Sequence, residues 1–225
     1  MIIIGHRGAS GLEPENTIRS FKKAEDLGAD IIEIDLRVSL DKEIVVFHDR
    51  SLKRLFGIRK SVAKTTLNQL KQISIAAGRE IPTLAEVLET VKAPINFHIK
   101  ISGFERQLLE HLKKFSSEVL ISSDYPWVLK KIRALDENVK LGLVMGKGEL
   151  HLLPFIKFLT STLNLYSIHP RAVLVNMFSI PLLRKLNKKI YVWTVNSEKI
   201  FNLMIRLGVD GIITDQPQLF VRPKQ

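Results

Sequence analysis

The chain has 225 residues, no cysteine and a formal net charge of +11 at pH 7. This length suits one large domain, residues 1–225, with a sizeable core, and the lack of cysteine excludes disulfides, thiolate metal sites and a cysteine nucleophile. The longest apolar runs fall short of the about 20 residues that a membrane span needs, and no basic leader precedes the first apolar run, so we expect a cytoplasmic protein without a signal peptide.

The positive charge favours anionic ligands in general and identifies none. Basic pairs such as Lys53-Arg54 and Lys130-Lys131 are scattered, and they do not interleave with aromatic residues as the groove of a single-strand binder would. We therefore expect a small-molecule anionic substrate and no nucleic acid. A weak contact with an anionic membrane surface stays open, and so does a merely solvated, lysine-rich surface.

The first predicted element is the strand at residues 2–4, an all-apolar, β-branched run that is typical of a buried parallel strand. His6, Arg7 and Gly8 follow it after one glycine. In an α/β barrel, polar residues at this end of a strand face the active site. His6 is therefore a candidate for proton transfer and Arg7 a fixed cation, while Gly8 permits a turn or the close approach of a ligand.

The triplet Glu15-Asn16-Thr17 precedes a predicted helix that runs from Ile18 to Leu27 and that Gly28 can end. Asn16 or Thr17 is a suitable N-cap. The triplet can serve only as a cap or can also shape the site, and the two roles are compatible.

Residues 31–38 predict the second strand, in which Glu33, Asp35 and Arg37 alternate with apolar residues. Two carboxylates on the enclosed face of a barrel strand are unfavourable unless a cation lies between them. We therefore predict a metal site at Glu33 and Asp35. The alternative, in which both acids face water, requires an antiparallel edge strand.

A turn at residues 40–42 and a returning run at residues 44–47 predict a hairpin centred near Asp41, which sets Asp35 opposite about Phe47. This register brings His48 and Asp49 beside the acidic pair. A lone histidine is usually structural, but a histidine with an adjacent aspartate next to two acids indicates a functional site.

The rest of the chain alternates between strand and helix patterns. Predicted strands cover residues 95–101, 119–123, 141–145, 163–169, 190–195 and 211–214, and predicted helices cover 67–73, 84–91, 104–115, 126–135, 176–186 and 198–207, with a poorly defined stretch that includes Leu152–Leu159. With the hairpin return set aside, eight strands are parallel, which predicts an α/β fold of the (β/α)8 TIM barrel type. A doubly wound sheet is the alternative, but no glycine-rich phosphate loop follows a strand.

Several predicted strand ends carry polar side chains. His98 and Lys100, two residues apart, share one face of their strand. Weaker candidates are Ser123 and Asp124 (substrate contact or helix cap), His169-Pro170 (turn or pocket wall), Trp193 (stacking surface or core) and Asp215, for which we expect a capping role.

Together, these motifs resemble the glycerophosphodiester phosphodiesterase family: His6-Arg7-Gly8, Glu15-Asn16-Thr17, Glu33-Ile34-Asp35, His48-Asp49, Lys100 and the closing segment 208–215. The resemblance implies a TIM barrel in which residues of about 50–81 form a small insertion at the site entrance. It also implies that His6 and His48 are general acid and base. In such enzymes the substrate's own glycerol hydroxyl attacks first, and water then opens the cyclic phosphate.

The candidate residues supply what phosphodiester hydrolysis needs. Oxygen ligands from Glu33 and Asp35 suit Mg²⁺, Ca²⁺ or Mn²⁺. His6 and His48 supply two imidazoles, the side-chain type whose unperturbed pKa is nearest to neutral, for proton transfer. The candidate substrate-binding residues are Arg7, Lys100 and Trp193.

His98 departs from the family pattern, because similar enzymes have a metal-binding glutamate two residues before the lysine. Three alternatives follow. A ring nitrogen of His98 can ligate the ion, which favours a softer ion such as Mn²⁺, Co²⁺ or Zn²⁺. His98 can instead contact the phosphate or a hydroxyl group while Glu33 and Asp35, with or without Asp49, hold the ion. In the third alternative, metal binding is too weak for activity.

We therefore expect metal-dependent hydrolysis of glycerophosphodiesters to an alcohol and glycerol phosphate. One alternative is a lysophospholipid-directed phosphodiesterase of the lysophospholipase D type that uses the same site. The other is a phosphate-binding protein with a weakened metal site.

Overall fold

The structure, a computed structural model, describes residues 1–146 and 153–220. Within these ranges nine strands form one sheet, which closes on itself because β1 pairs with both β2 and β9. The strands are β1 (Ile2–Gly5), β2 (Ile31–Val38), β3 (Ile44–Val46), β4 (Ile95–Ile99), β5 (Val119–Ser123), β6 (Lys140–Met145), β7 (Ser167–Pro170), β8 (Lys189–Trp193) and β9 (Gly211–Thr214). Eight of them are parallel and β3 is antiparallel to β2, so the predicted TIM barrel with a hairpin return is confirmed.

Helices surround the barrel. They are α1 (Ile18–Leu27), α2 (Lys53–Phe56), α3 (Leu67–Ala76), α4 (Leu84–Thr90), α5 (Glu105–Leu112), α6 (Pro126–Leu135), α7 (Leu153–Thr162), α8 (Ser179–Arg184) and α9 (Glu198–Leu207). In the part of the chain that the structure describes, no helix combines the length and the apolar character that a membrane span requires.

The N-terminal βα unit illustrates how local sequence sets the element boundaries. The Thr17 hydroxyl accepts a hydrogen bond from the Ser20 N–H and begins α1. Gly28, at φ 86°, ends the helix and donates its N–H to the carbonyls of Ala24 and Glu25. The predicted cap and stop of this helix are therefore confirmed.

The hairpin after β2 has the predicted register. Leu36 pairs with Val46, and Val38 pairs with Ile44. The Phe47 N–H donates to the Asp35 carbonyl at 2.9 Å. His48 therefore leaves the hairpin at the level of Asp35.

Alternation along β2 separates two environments. Ile32, Ile34 and Leu36 belong to the main apolar cluster between the sheet and the helices, so Glu33 and Asp35 face the barrel interior. A separate interior layer consists of Ile4, Leu120, Tyr191 and Ile213.

The segment 50–81 packs on the outside of the hairpin around a satellite apolar cluster. Its buried members are Val45, Phe47, Leu52, Val62, Leu70 and Ile81. This cluster fixes α2, and therefore Arg54, at the edge of the hairpin. The segment thus has a small core of its own beside the barrel mouth.

Some predicted boundaries were wrong. β7 begins at Ser167 rather than Leu163, because α7 continues to Thr162 and Asn164 turns the chain at φ 42°. α8 begins three residues later than predicted, because the Asn176 side-chain carbonyl accepts the N–H groups of Phe178 and Ser179 and forms a turn there.

Other segments also differ from the prediction, among them β8, which covers Lys189–Trp193, and α3, which covers Leu67–Ala76. β4 ends at Ile99 and α5 covers only Glu105–Leu112, so both elements are shorter than expected. The loosely predicted stretch at Leu152–Leu159 is helical from Leu153 onward as α7, and Leu152 lies outside the described residues.

Candidate active site

A cavity of about 380 Å³ opens at the C-terminal ends of the parallel strands. Most of the predicted site residues line it together: His6, Arg7, Glu33, His48, His98, Lys100 and Trp193. Asp35 is 1% exposed and lies buried beside them. Side chains that were not predicted, or were only weak candidates, complete the lining, among them Asn96, Ser122, Asp124, His169 and Arg171.

The acidic pair of β2 presents one free oxygen from each residue. Glu33 Oε2 accepts the Arg7 N–H at 2.8 Å, and Asp35 Oδ2 accepts from Asn16 Nδ2 at 2.9 Å. The other oxygens, Glu33 Oε1 and Asp35 Oδ1, are buried and have no hydrogen-bond partner among the described residues. Buried carboxylate oxygens without donors are unfavourable on their own but are suitable ligands for a cation.

His98 completes this arrangement. Its Nδ1 lies 3.4 Å from both Glu33 Oε1 and Asp35 Oδ1. One ligand atom from each of the three residues lies within 4.8 Å of the other two. Two carboxylate oxygens and one imidazole nitrogen form a set that fits a divalent ion such as Mn²⁺, Co²⁺ or Zn²⁺.

The charges of this cluster are balanced by neighbouring cations. Burial alone would raise the pKa of Asp35, but the charge of Lys100, the His98 ring and Arg7 hold it well below its usual range. Burial and Lys100 would lower the pKa of His98, yet its carboxylate partners, led by Asp124, raise it to about 10. A metal ion at His98 therefore displaces a proton.

Two backbone positions shape the start of the site. Arg7 has φ 54°, which turns its N–H to Glu33 while its guanidinium reaches Glu15 Oε1 at 2.9 Å and Asp35 Oδ2 at 3.2 Å. Gly8 has φ 86°, and a Cβ there would lie 2.4 Å from Ser20 Oγ. Gly8 therefore serves the turn and the close approach of α1, not the approach of a ligand.

The triplet Glu15-Asn16-Thr17 serves both as a cap and as part of the site. Thr17 caps α1, whereas Asn16, at φ 58°, donates to the Asp35 carboxylate and accepts the Asp35 N–H at 3.2 Å. Glu15 joins Arg7 to Arg54.

Two of the cavity histidines, His6 and His48, have a carboxylate within hydrogen-bond distance of Nδ1. His6 Nδ1 is 2.6 Å from Asp215 Oδ1, and His48 Nδ1 is 2.6 Å from Asp49 Oδ1. Burial lowers the pKa of His48 more than the Asp35 charge raises it. In both rings the carboxylate leaves Nε2 as the nitrogen available to a reacting group.

The expected capping role of Asp215 was wrong. Its carboxylate also accepts from Ser10 Oγ at 2.8 Å and from the Asn196 side chain. Burial would raise the pKa of Asp215, but the hydrogen bonds from His6, Ser10 and Asn196 hold it below its usual range. Barrel closure was the available signal, because Gly5 pairs with Thr214 and thus sets the next residues side by side.

The contacts of Asp49 do not favour the alternative in which it helps to hold the ion. One Asp49 oxygen lies on His48, and the other accepts from Arg54 Nε at 2.6 Å. Within the described ranges, Asp49 lies outside the group that could hold a metal. Arg54, which the sequence did not single out, extends from the 50–81 segment to both Asp49 and Glu15.

The weaker candidates divide between structural and site roles. Ser123 Oγ accepts the Tyr125 N–H at 3.1 Å and donates to the Ile99 carbonyl at 2.9 Å, so it stabilises the turn before α6 and does not cap that helix. Asp124 instead lies 2.9 Å from His98 Nε2. Lys100 Nζ lies 3.4 Å from Asp35 Oδ1.

His169 and Trp193 form one wall of the cavity. The Trp193 Nε1–H donates to the His169 carbonyl at 2.8 Å and holds the indole against the opening, where Arg171 lies 5.8 Å from the ring centroid. His169 is fully buried, with Nε2 2.8 Å from Ser167 Oγ, and burial lowers its pKa to about 3. His169 is therefore a neutral wall residue.

Comparisons with known proteins agree with this geometry. The sequence matches the glycerophosphoryl diester phosphodiesterase family over residues 6–219. A glycerophosphodiester phosphodiesterase of Caldanaerobacter subterraneus subsp. tengcongensis is 32% identical over 98% of this chain and 96% of its own length.

Two crystal structures show the same likeness. A glycerophosphodiester phosphodiesterase from Thermotoga maritima is 32% identical, with a TM-score of 0.89 over 100% of this chain and 98% of that one. An Oleispira antarctica phosphodiesterase, solved in complex with the product sn-glycerol-3-phosphate, is 26% identical, with a TM-score of 0.84 over 97% of this chain and 94% of that one.

Proposed function

The chain belongs to the glycerophosphoryl diester phosphodiesterase family and is a phosphoric diester hydrolase, and from this premise we propose metal-dependent hydrolysis of glycerophosphodiesters to an alcohol and glycerol phosphate. One observation carries the proposal. Glu33 Oε1, Asp35 Oδ1 and His98 Nδ1 converge in the cavity that two carboxylate-paired histidines also line.

Two buried carboxylate oxygens without a hydrogen-bond partner among the described residues, Glu33 Oε1 and Asp35 Oδ1, support the proposed metal ion. Glu33, Asp35 and His98 would hold a divalent ion, and the nitrogen ligand favours a borderline ion such as Mn²⁺ over Mg²⁺ or Ca²⁺. When bound, such an ion supplies Lewis-acid neutralisation of the phosphate oxygens. Of the three alternatives for His98, ligation is the one that its Nδ1 position supports.

The proton-transfer part rests on the two histidine–aspartate pairs. His6 and His48 would act as general acid and base through Nε2, because Asp215 and Asp49 occupy Nδ1 of the respective rings. An imidazole held in this way keeps one tautomer and one orientation, which a proton donor or acceptor needs.

Charged and aromatic groups would bind the substrate. Lys100 borders the acidic pair, and the half-buried Arg7 guanidinium supplies a second fixed positive charge beside it. Both would meet the phosphate oxygens. The Trp193 ring lines the cavity and offers an apolar face to the glycerol or the alcohol group.

We further propose that residues 1–225 act as one barrel domain and that the 50–81 segment borders the substrate entrance. The bond from Arg54 to Asp49 links this segment to the site. A small phosphodiester suits a cavity of about 380 Å³; no nucleic acid is required.

The test is an assay of glycerophosphocholine, glycerophosphoethanolamine and a lysophospholipid, with a panel of divalent ions and a chelator control. We expect glycerol phosphate from the two small substrates and no product after chelation. Turnover of the lysophospholipid alone would support the lysophospholipase D alternative. Full activity in the chelator would contradict the metal requirement, and no turnover with any ion would contradict the hydrolase.

A further inference from the structure

We propose that Asp124 is a positioning residue that fixes the tautomer of His98, so that the lone pair of Nδ1 faces the metal position. This inference rests on the metal site of the proposed function. We attribute the proposed preference of the site for borderline divalent ions to the His98–Asp124 pair.

The fold brings the two residues together from neighbouring strands. His98 pairs with Ser122 in the register between β4 and β5, and Asp124 follows at the tip of β5. Its Oδ2 lies 2.9 Å from His98 Nε2. The His98 side chain is 11% exposed and the Asp124 side chain 39%, so the acid reaches a buried ring from the cavity rim.

The chemistry of the two groups determines where the ring hydrogen lies. An ionised carboxylate only accepts hydrogen bonds, so when an ion displaces one proton from the His98 imidazolium, the proton that stays is the one on Nε2, which faces Asp124. Nδ1 then carries the lone pair, and Nδ1 is the nitrogen that lies 3.4 Å from Glu33 Oε1 and Asp35 Oδ1. A carboxylate on the distal nitrogen of a metal-binding histidine orients the ring and strengthens it as a ligand.

Lys100 shows why the carboxylate is needed. Its Nζ lies 3.4 Å from His98 Nε2, and an ammonium group has no acceptor capacity. Without Asp124, the ammonium would favour a lone pair on Nε2 and a hydrogen on Nδ1. That tautomer points an N–H at the two free carboxylate oxygens and cannot ligate an ion there.

The geometry also distinguishes positioning from direct ligation. Asp124 contacts Nε2, whereas the two acids of β2 face Nδ1 of the same ring. Among the described residues, the group that could hold a metal contains Glu33, Asp35 and His98 without Asp124. Asp124 therefore acts through His98 and not on the ion.

The experiment measures Mn²⁺, Zn²⁺ and Mg²⁺ affinity of the full chain by titration calorimetry at one fixed pH. The variants are Asp124→Ala and Asp124→Asn, each made in the wild-type chain and in His98→Glu. We expect Asp124→Ala to weaken Mn²⁺ and Zn²⁺ binding by about 10- to 100-fold. Asp124→Asn should lose much less, because the Lys100 ammonium, 3.8 Å from Asp124 Oδ2, favours the amide oxygen on that side and so keeps an acceptor facing Nε2.

In the His98→Glu background, no imidazole needs orientation, so Asp124→Ala should change the metal affinity by less than about twofold. The His98→Glu substitution itself should improve Mg²⁺ binding relative to Mn²⁺ binding. The ¹⁵N shifts of His98 in the Zn²⁺-loaded protein should show Nδ1 as the ligating nitrogen. Thermal unfolding of each variant controls for misfolding.

Three results would overturn the inference: unchanged affinity in Asp124→Ala, equal losses in the Ala and Asn variants, or an equal loss in the His98→Glu background. The last two results would indicate a through-space charge or a direct ligand. A wild-type chain that binds none of the ions would instead contradict the metal site itself, and the inference with it.

Discussion

The two cavity histidines with an aspartate on Nδ1, His6 and His48, share this geometry but acquire it in different ways. His48 and Asp49 are neighbours in the chain, and a hairpin with its adjoining segment delivers them together. His6 and Asp215 are 209 residues apart and meet only because β1 and β9 close the barrel. One half of the proposed acid–base machinery is therefore local, and the other half depends on tertiary structure.

The surroundings of the pairs differ in the same way. Asp49 is held by Arg54 from outside the barrel, while Asp215 is held by Ser10 and Asn196 at the junction of the first and last strands. The comparison shows that one geometric result, a 2.6 Å contact on Nδ1, does not require one kind of support.

Removing either ring should have the largest effect. We expect His6→Ala and His48→Ala each to lower kcat by about 10² to 10⁴, because each loses a proton-transfer group. The measurement is steady-state hydrolysis of glycerophosphocholine, with His111→Ala on α5 as the control, which should stay within about twofold. A small loss for one histidine alone would mean that only the other transfers a proton.

Neutralising the carboxylate partners should have the next largest effect. Asp215→Asn and Asp49→Asn should each lower kcat by on the order of 10², because an asparagine amide can present an N–H to Nδ1 and favour the wrong tautomer. The pH dependence of kcat should also change, because the imidazole loses the carboxylate that faces its Nδ1. Equal activity of Asp215→Asn and wild type would leave Asp215 a purely structural residue.

His169 provides a contrast, because it is a buried histidine whose hydrogen-bond partner is a hydroxyl. Burial lowers its pKa to about 3 in the fold, against about 6.5 in an unfolded chain. At a pH between these two pKa values, the unfolded state therefore binds more protons than the folded state. The free energy of unfolding thus decreases as the pH falls from about 6.5 towards 3.

We expect this histidine to account for a loss of about 2 kcal/mol in the free energy of unfolding between pH 7 and pH 5. Urea unfolding of wild type and His169→Gln at both pH values isolates the contribution of His169. The other titrating groups contribute equally to both proteins and cancel when the two free energies of unfolding are subtracted. Identical pH slopes of the two proteins would mean that the ring is not kept neutral by burial.

Arg54 tests whether the local pair depends on its external support. Arg54→Ala should lower kcat/KM by about tenfold, because Asp49 and Glu15 lose the guanidinium that holds them. The adjacent, exposed Lys53→Ala is the matched control and should have no effect. A combined Arg54→Ala, Asp49→Asn variant should show less than the product of the two losses, whereas full additivity would argue for independent roles.

Local patterns of the sequence were sufficient for the acidic pair and the local histidine pair. Alternation along β2 predicted that Glu33 and Asp35 face one side, and the turn at Asp41 fixed the register that brings His48 to them. The buried layers follow the same rule, since side chains on a strand alternate between two faces.

Such local patterns could not predict contacts between residues that are distant in the chain. Nothing near Asp215 indicates His6, and Arg54 lies in a basic, irregular segment without periodicity. The start of β7 was missed because the apolar run at Leu163 is buried as a helix end and turn rather than as a strand. Tertiary contacts determine these positions, so local secondary-structure propensity does not predict them.

The closure of the barrel between β1 and β9 has a consequence for biosynthesis. The first strand of the barrel is synthesised before β9, its neighbour in the sheet, because a chain is made from its N-terminal side. Until that neighbour docks, Ile2–Gly5 has an unpaired side, and the imidazole at residue 6 has no acid beside it. The nascent polypeptide therefore acquires its complete proton-transfer apparatus in the same event that closes the ring of parallel strands.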